Sequence, residues 1–141
     1  MALPKPEPGL VIRYDYLWLR EAALGRTQSK ERPACLVAAS DPDSNPRFVV
    51  ILPITHAQPR GKTQGVEIPP KVRMALGLDD ARCWVVVSEY NIDDWPNAGI
   101  GPLPGRSGAF AYGFMPPGLF TDVKVRFLKL AAPDRRRGVK R

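Results

Sequence analysis

Large apolar residues recur at every second position near the start of the chain. Within residues 10–19 they occupy one set of alternating positions: Ile12, Tyr14, Tyr16 and Trp18. A period of two is typical of a β-strand, because successive side chains of a strand point to opposite faces. Aromatic and β-branched residues also favour strands. The segment therefore predicts a long strand with one aromatic face.

Four further apolar runs predict shorter strands. Clusters of turn-forming residues separate them, as in DPDSNP at 41–46. The run at 48–54 is almost wholly apolar, which is typical of a strand that is buried on both faces or lies at a barrel seam. The four predicted strands span residues 33–39, 48–54, 66–68 and 82–90.

Two proline pairs predict where helices begin. Pro69 and Pro70 precede a short amphipathic segment that ends at Gly77, a residue suited to the left-handed conformation that closes a helix. After the second pair, at 116–117, apolar residues recur at the spacing of one helix face: Leu119, Val123, Phe127 and Leu130. About five short strands with two short helices predict a mainly β fold, a small and strongly curved barrel.

Three segments lack either period. Residues 20–31 are polar and predict a loop, or a short helical turn followed by a mobile loop. Residues 57–65 predict a basic, exposed loop. The stretch from 91 to 108 is rich in glycine and proline, and we expect Trp95 to hold it against the body. Residues 96–115 are assigned to an irregular insertion.

Positive charge is concentrated at the end of the chain. The 141 residues carry a formal net charge of +7. Residues 134–141 hold five lysines and arginines against one aspartate, which is more than half of that net charge. We predict one domain over residues 1–133 and a basic tail over 134–141. Such a tail attracts phosphates regardless of base sequence, or it only keeps the protein in solution.

Several classes of protein are disfavoured by composition. No window approaches the ~20 apolar residues of a membrane span, and the first ten residues lack a signal-peptide core. We therefore expect a cytoplasmic protein without membrane contact. Cys35 and Cys83 predict buried free thiols, with a disulfide or redox pair as the alternative. The single histidine excludes a multi-histidine zinc site; a carboxylate-only metal site stays open, but we expect neither metal nor cofactor.

Three motifs in a fixed order carry a resemblance. The segment at 9–21 reads GLVIRYDYLWLRE, the loop before the second strand ends in ERPA at 31–34, and the third strand ends in LPIT at 52–55. This set resembles the MazF/PemK toxin family of bacterial toxin–antitoxin systems. VVVSEYNIDDW at 85–95 is similar to a later strand of that family, whereas the insertion at 96–115 has no counterpart there.

The resemblance implies a fold, an activity and partners. The fold is a closed SH3-like β-barrel of the MazF/CcdB type with short helices, including a C-terminal helix. The activity is cleavage of single-stranded RNA without a metal ion, and the partners are a second copy of the chain, forming a homodimer, and an acidic antitoxin protein. Two alternatives stay open: a non-catalytic barrel that binds nucleic acid or protein, and a poison directed at gyrase.

The resemblance also implies which residues act. Arg32 and Thr55 match the catalytic arginine and threonine of the family. A guanidinium presents two parallel donors to a phosphoryl group and stays charged at neutral pH, so it suits stabilisation of the extra negative charge during attack by a 2′-hydroxyl. The alternative for Arg32 is an ordinary solvated side chain, and for Thr55 a residue that simply ends a strand.

Two further residues are candidates for proton transfer. His56 is of the residue type best suited to acid or base catalysis near neutral pH, although a structural or substrate-contacting role is an alternative. Glu89 is a candidate base if it lies across the groove; otherwise it is a strand residue in an ion pair. Five cations of the two flanking loops are expected to contact the RNA backbone: Arg20, Arg26, Lys30, Arg60 and Lys62.

Overall fold

β-Strands dominate the architecture. In the computed structural model, which describes residues 3–97 and 99–141, nine strands form one sheet and three helices accompany it. The strands are β1 (Leu10–Tyr16), β2 (Lys30–Ala39), β3 (Phe48–Thr55), β4 (Gly65–Glu67), β5 (Trp84–Val86), β6 (Tyr90–Asp94), β7 (Ile100–Gly101), β8 (Ala111–Phe114) and β9 (Gly138–Lys140). The helices are α1 (Leu19–Ala23), α2 (Pro70–Leu76) and α3 (Pro117–Ala131).

The sheet is built around β2. This strand pairs antiparallel with β1 on one side and with β3 on the other. Each neighbour then pairs with two short strands: β1 with β7 and β8, and β3 with β5 and β6. Strand β4 extends the sheet beyond β5, and β9 pairs with β6 in parallel. The pairings among the described residues branch and do not close into a ring.

Both faces of the central strands are buried. The aromatic face predicted for β1 is confirmed: Ile12, Tyr14 and Tyr16 are fully buried, in one apolar cluster with residues of β2 and β3. The opposite face of the sheet forms a second cluster with α3, to which Val123 and Phe127 contribute. Alternation along β1, with one residue toward each cluster, explains why a single strand serves two cores.

The predicted helices are confirmed. Helix α2 follows Pro69 and ends at Gly77, whose φ of 71° lies in the left-handed region. Helix α3 begins at Pro117 and buries Val123 and Phe127 as its periodicity predicts. The ring of Phe127 packs edge-on against Tyr90 at 5.3 Å, which holds the helix on the sheet.

One predicted strand is wrong in extent. The apolar run at 82–90 is divided into β5 and β6, which pair with opposite ends of β3. Between the two strands the chain continues along β3, and residues 87–89 form an irregular segment that shifts the register by three residues. This segment is stabilised at buried Ser88, whose hydroxyl accepts a hydrogen bond from the Gln64 N–H at 3.0 Å. The apolar pattern of the 82–90 run does not indicate that its two parts pair with different ends of β3.

The stretch after β6 is more regular than its composition indicates. Trp95 is buried, as expected, and β7 and β8 pair with β1 on either side of a tight turn. The segment predicted as a basic tail also contains structure. Its residues Arg135–Arg137 form a 3₁₀ turn capped by Asp134, and Gly138–Lys140 form β9 at the edge of the sheet.

Two further sequence expectations concern the cysteines and membranes. Cys35 and Cys83 are free and buried, as predicted. Burial raises the pKa of the Cys35 thiol to about 12 and that of Cys83 to about 11, so both remain protonated at neutral pH. None of the helices in the described part of the chain has the length and apolar character that crossing a membrane requires.

Candidate functional site

A cavity lies where β2 begins and β3 ends. Its volume is about 730 Å³, and four separate parts of the chain line it. The lining residues are Arg13 of β1, residues 30–33 of β2, residues 54–57 at the end of β3, residues 76–79 and Cys83 after α2, and Leu103, Pro104, Arg106 and Tyr112 around the turn before β8. The cavity is mixed in character, with basic groups beside an apolar lining.

Arg32 and Thr55 lie at the same end of the β2–β3 ladder. The last residues paired across β2 and β3 on this side are Ala34 and Pro53. Beyond that pair, Arg32 pairs with Tyr14 of β1 and Thr55 pairs with Trp84 of β5. Both residues line the cavity. The two residues that sequence resemblance singled out therefore contribute to one cavity.

The Arg32 guanidinium is held at the rim of the core. It lies over the Trp18 ring at 5.1 Å, and its Nη2 donates to the Ser29 hydroxyl at 3.3 Å. Burial lowers the pKa of Arg32, with the negative charge of Glu21 opposing that shift. Its Nε is buried without a hydrogen-bond partner among the described residues. An arginine with an unused buried donor is suited to an anionic ligand.

The neighbourhood of Trp18 fixes that guanidinium. Trp18 is buried, so it is a packing residue rather than an exposed platform for bases. Arg20 lies over the same ring at 4.9 Å. Glu21 accepts hydrogen bonds from the Trp18 N–H at 3.1 Å and the Ser29 hydroxyl at 3.0 Å. The loop before β2 is thereby tied to α1, which limits the positions that Arg32 can adopt.

Thr55 has a defined orientation. Its Oγ1 accepts a hydrogen bond from the Ala57 N–H at 3.1 Å, a local turn that begins the loop after β3. A hydroxyl that accepts one bond still has a proton to donate. Thr55 can therefore donate to an oxygen of a bound anion without losing its own support.

His56 contacts two acceptors. Its Nδ1 lies 3.0 Å from the Arg82 carbonyl oxygen, and its Nε2 lies 3.0 Å from Oδ2 of Asp79. Only the doubly protonated imidazolium donates to both at once. In this arrangement His56 suits proton donation rather than proton abstraction. Its side chain is 54% exposed, so solvent and ligands reach it.

Glu89 lies outside this cavity. Its carboxylate accepts hydrogen bonds from the Tyr16 hydroxyl at 3.3 Å and the Leu19 N–H at 3.2 Å. Burial raises the pKa of Glu89, against the lowering effect of those two donors. It is not among the described residues that line the cavity. The structure thus places the Glu89 carboxylate at the start of α1, where Arg20 and Glu21 are charged neighbours both of Glu89 and of the Arg32 guanidinium.

The five cations predicted to contact RNA do not form one group. Lys30 lines the cavity. Arg20 and Arg26 belong to α1 and the loop after it, where Arg26 pairs with Glu21 at 3.0 Å. Arg60 and Lys62 lie exposed on the loop after β3. Apart from Lys30, none of these cations is among the described residues that line the cavity.

Sequence reasoning missed several lining residues. Arg13 alternates with the aromatic residues of β1, so the two-residue period predicts that its side chain lies on the opposite face of the strand. Asp79 could have been found only through its contact with His56. Arg106 and Tyr112 lie in or beside the irregular stretch, whose composition carries no directional signal. These residues reach the cavity through tertiary structure alone.

Neither metal ligation nor likeness to a known protein adds to this picture of the site. Within residues 3–97 and 99–141, no three His, Cys, Asp or Glu side chains are grouped as metal ligands would be. No protein-family model matches the chain. A search of curated proteins finds no match either.

Proposed function

We propose that the chain is the toxin of a toxin–antitoxin system, a metal-independent endoribonuclease that cleaves single-stranded RNA. The observation that carries this proposal is that Arg32 and Thr55 line one cavity at the end of the β2–β3 ladder. Lys30 adds positive charge to the same cavity, and His56 adds a proton donor. The sequence resemblance to the MazF/PemK family supports the same assignment.

The proposed reaction is an internal transesterification. The RNA 2′-hydroxyl gives its proton to a water molecule, and its oxygen forms a bond to the adjacent phosphorus while the bond from phosphorus to the 5′-oxygen breaks. The products are a 2′,3′-cyclic phosphate and a 5′-hydroxyl. Arg32 stabilises the charge that develops on the phosphoryl oxygens, where preorganised donors are most effective. Thr55 orients the phosphoryl group, and the His56 imidazolium protonates the departing 5′-oxygen. Glu89 has no role in this scheme.

The finer fold, partners and location belong to the same proposal. The branched, curved sheet around β2 is interpreted as a variant of the closed SH3-like barrel of the MazF/CcdB type. Two copies form a homodimer in the cytoplasm, and an acidic antitoxin neutralises the toxin. The net charge of +7 supports both an RNA substrate and an acidic partner.

A second candidate function is binding of nucleic acid without cleavage. It is favoured by the position of Glu89, which contacts Tyr16 and lies outside the cavity. Among the described residues, β6 and the turn before it therefore contribute no carboxylate base to the cavity. On this reading, the basic groups of the cavity hold a phosphate backbone and no bond is broken. The two candidates predict the same binding and differ in the products.

The test is incubation of purified protein with a long single-stranded RNA in excess chelator. The proposal predicts fragments with 2′,3′-cyclic phosphate ends, and no cleavage where a 2′-deoxynucleotide replaces the attacking residue. Binding without fragments would support the second candidate. Absence of both binding and cleavage would refute both.

A further inference from the structure

The connection between β7 and β8 is a turn with a defined conformation. Leu103 is buried, with 4% of its surface exposed, and its N–H donates to the Ala109 carbonyl at 2.8 Å. The Arg106 N–H donates to the Leu103 carbonyl, and the Ala109 N–H to the Arg106 carbonyl, both at 3.1 Å. Gly105, with a φ of +69°, adopts the left-handed conformation that the reversal requires. Arg106 is therefore presented from a supported turn.

This turn forms part of the wall of the cavity described above. Leu103, Pro104 and Arg106 line the same space as Arg32 and Thr55. The turn belongs to the segment that has no counterpart in the sequence resemblance. The turn therefore adds a lining surface to the cavity beyond that contributed by Arg32 and Thr55.

The cations of the cavity differ in how far they are neutralised. Arg13 pairs with Glu31 at 3.5 Å, and His56 pairs with Asp79 at 3.0 Å. By contrast, Lys30 and Arg106 form no ion pair within the described part of the chain. Arg106 is exposed at the turn, so its charge is available to a ligand at little cost in desolvation.

The apolar part of the lining suits a nucleobase. Leu103 and Tyr112 contribute apolar surface beside Arg106, and the Tyr112 hydroxyl is anchored by the Arg13 guanidinium at 3.3 Å. The volume of about 730 Å³ lies within the ~300–1,000 Å³ of pockets that bind small organic ligands. A base can occupy the apolar side of the cavity while its phosphates contact the cationic side.

We propose that Arg106 is a substrate-binding residue, which contacts a phosphate that flanks the scissile one and positions the intervening nucleotide beside Leu103 and Tyr112. This inference rests on the proposed function, in that the ligand is single-stranded RNA. Arg106 acts on binding and not on the bond that breaks. Its loss therefore changes KM and Kd, and leaves kcat nearly unaltered.

The experiment compares Arg106→Ala and Arg106→Lys with the wild-type protein. Arg126→Ala is the matched control, because Arg126 is exposed and pairs with Asp122 on α3, outside the cavity and the basic C-terminal segment. Binding of a fluorescent oligonucleotide with 2′-O-methyl groups, which cannot be cleaved, is measured by anisotropy over a range of salt concentrations. Cleavage of the corresponding RNA gives KM and kcat, and thermal unfolding checks that each variant is folded.

Arg106→Ala is expected to raise Kd and KM about tenfold. The slope of log Kd against log salt should fall by about 0.7, the value of one lost phosphate contact on a single strand. Arg106→Lys should recover part of the affinity, and Arg126→Ala should match the wild type. Equal binding by folded Arg106→Ala and Arg126→Ala would overturn the inference.

The binding measurement separates this inference from the proposed cleavage activity. Wild-type protein that binds RNA through Arg106 but does not cleave it would support the inference and contradict the ribonuclease assignment. Wild-type protein that cleaves RNA without dependence on Arg106 would support the ribonuclease assignment and contradict the inference about Arg106. Wild-type protein that does not bind RNA would contradict both.

Discussion

Replacement of Arg141 by alanine tests whether the basic C-terminal segment is part of the fold. The Arg141 side chain is only 12% exposed. Its guanidinium donates to the Asp15 carbonyl, to the Tyr14 hydroxyl at 3.2 Å, to the Asn91 side chain at 3.1 Å and to the Thr27 carbonyl at 3.1 Å. One side chain therefore joins β1, the loop before β2, and β6.

The donors and acceptors around Tyr14 are mutually consistent. Burial raises the pKa of Tyr14, and its hydroxyl donates to Oδ2 of Asp93 at 2.7 Å. The same hydroxyl oxygen then accepts from Arg141. Removing the guanidinium leaves the Tyr14 oxygen and the Asp15 carboxylate without this cation. The free-energy cost therefore includes the acceptors that are left unsatisfied, in addition to the hydrogen bonds that are removed.

The magnitude depends on the type of hydrogen bond that Arg141 makes. A hydrogen bond that involves a charged group contributes about 1.5–3 kcal/mol, and several bonds of one group are not additive. Breaking a largely buried charge pair costs about 3–5 kcal/mol, which is an upper limit here because the Asp15 carboxylate retains solvent contact. We expect Arg141→Ala to lower the free energy of unfolding by about 3 kcal/mol.

Urea unfolding followed by tryptophan fluorescence measures this change. With an m-value of about 2 kcal/mol per molar urea, the midpoint should fall by about 1.5 M. Arg136→Ala is the control, because its ion pair with Asp134 is exposed to solvent and should contribute little to stability. A midpoint for Arg141→Ala within about 0.3 M of the control, roughly the fitting error, would refute the structural role.

Three further predictions concern stability and assembly. Because burial raises the folded-state pKa of Glu89, the wild type should lose stability relative to Glu89→Gln as the pH rises through that pKa. The Tm advantage of Glu89→Gln should be larger at pH 7 than at pH 4, and an equal difference at both would contradict the assignment. Asn91→Ala should cost about 3 kcal/mol in urea unfolding, since fully buried Asn91 satisfies both the N–H and the carbonyl of Leu17, at 2.9 and 2.8 Å; a cost below about 1 kcal/mol, near the usual worth of one bond, would contradict it. Light scattering at micromolar concentration should give the mass of a dimer, and a monomer mass would contradict the proposed assembly.

The central elements could be predicted from the sequence because each has a strong local pattern. The two-residue period of β1 predicted both its strand conformation and its aromatic face. Proline at the start and Gly77 at the end predicted α2 within a residue or two. The apolar spacing of α3 predicted the residues that it buries. In these cases local preference and tertiary packing agree.

Other features depend on contacts between distant residues. The division of the 82–90 run arises because β5 and β6 pair with different ends of β3, and nothing within the run specifies this. Strand β9 is short and basic, and its position depends on the Arg141 contacts with residues more than 100 positions earlier. Arg106 likewise reaches the cavity through a turn whose sequence resembles a linker.

The candidate site was predicted in part. Resemblance supplied Arg32 and Thr55, which both lie at the end of the β2–β3 ladder and line one cavity. Glu89 was a candidate by its residue type, and the structure holds it at the start of α1 instead. The difference has a physical basis. The long β2–β3 ladder fixes where Arg32 and Thr55 lie, whereas Glu89 belongs to the irregular segment between β5 and β6.

Cleavage of single-stranded RNA by wild-type protein and by Arg32→Ala, with chelator present, tests the proposed catalytic role of Arg32. A donor aimed at charge that develops in the transition state contributes about 3–4 kcal/mol, so Arg32→Ala should slow single-turnover cleavage by roughly two to three orders of magnitude. Thr55→Ala should cost less, because a hydroxyl carries no charge. Arg32→Lys should recover little, because an ammonium cannot present paired donors.

Folding of each variant is checked by circular dichroism and thermal unfolding, so that lost activity is not lost structure. We expect a folded Arg32→Ala protein that still binds RNA and cleaves it at least a hundredfold more slowly than the wild type, which corresponds to about 2.7 kcal/mol in the activation barrier. A folded Arg32→Ala protein that cleaves RNA at the wild-type rate would contradict this expectation.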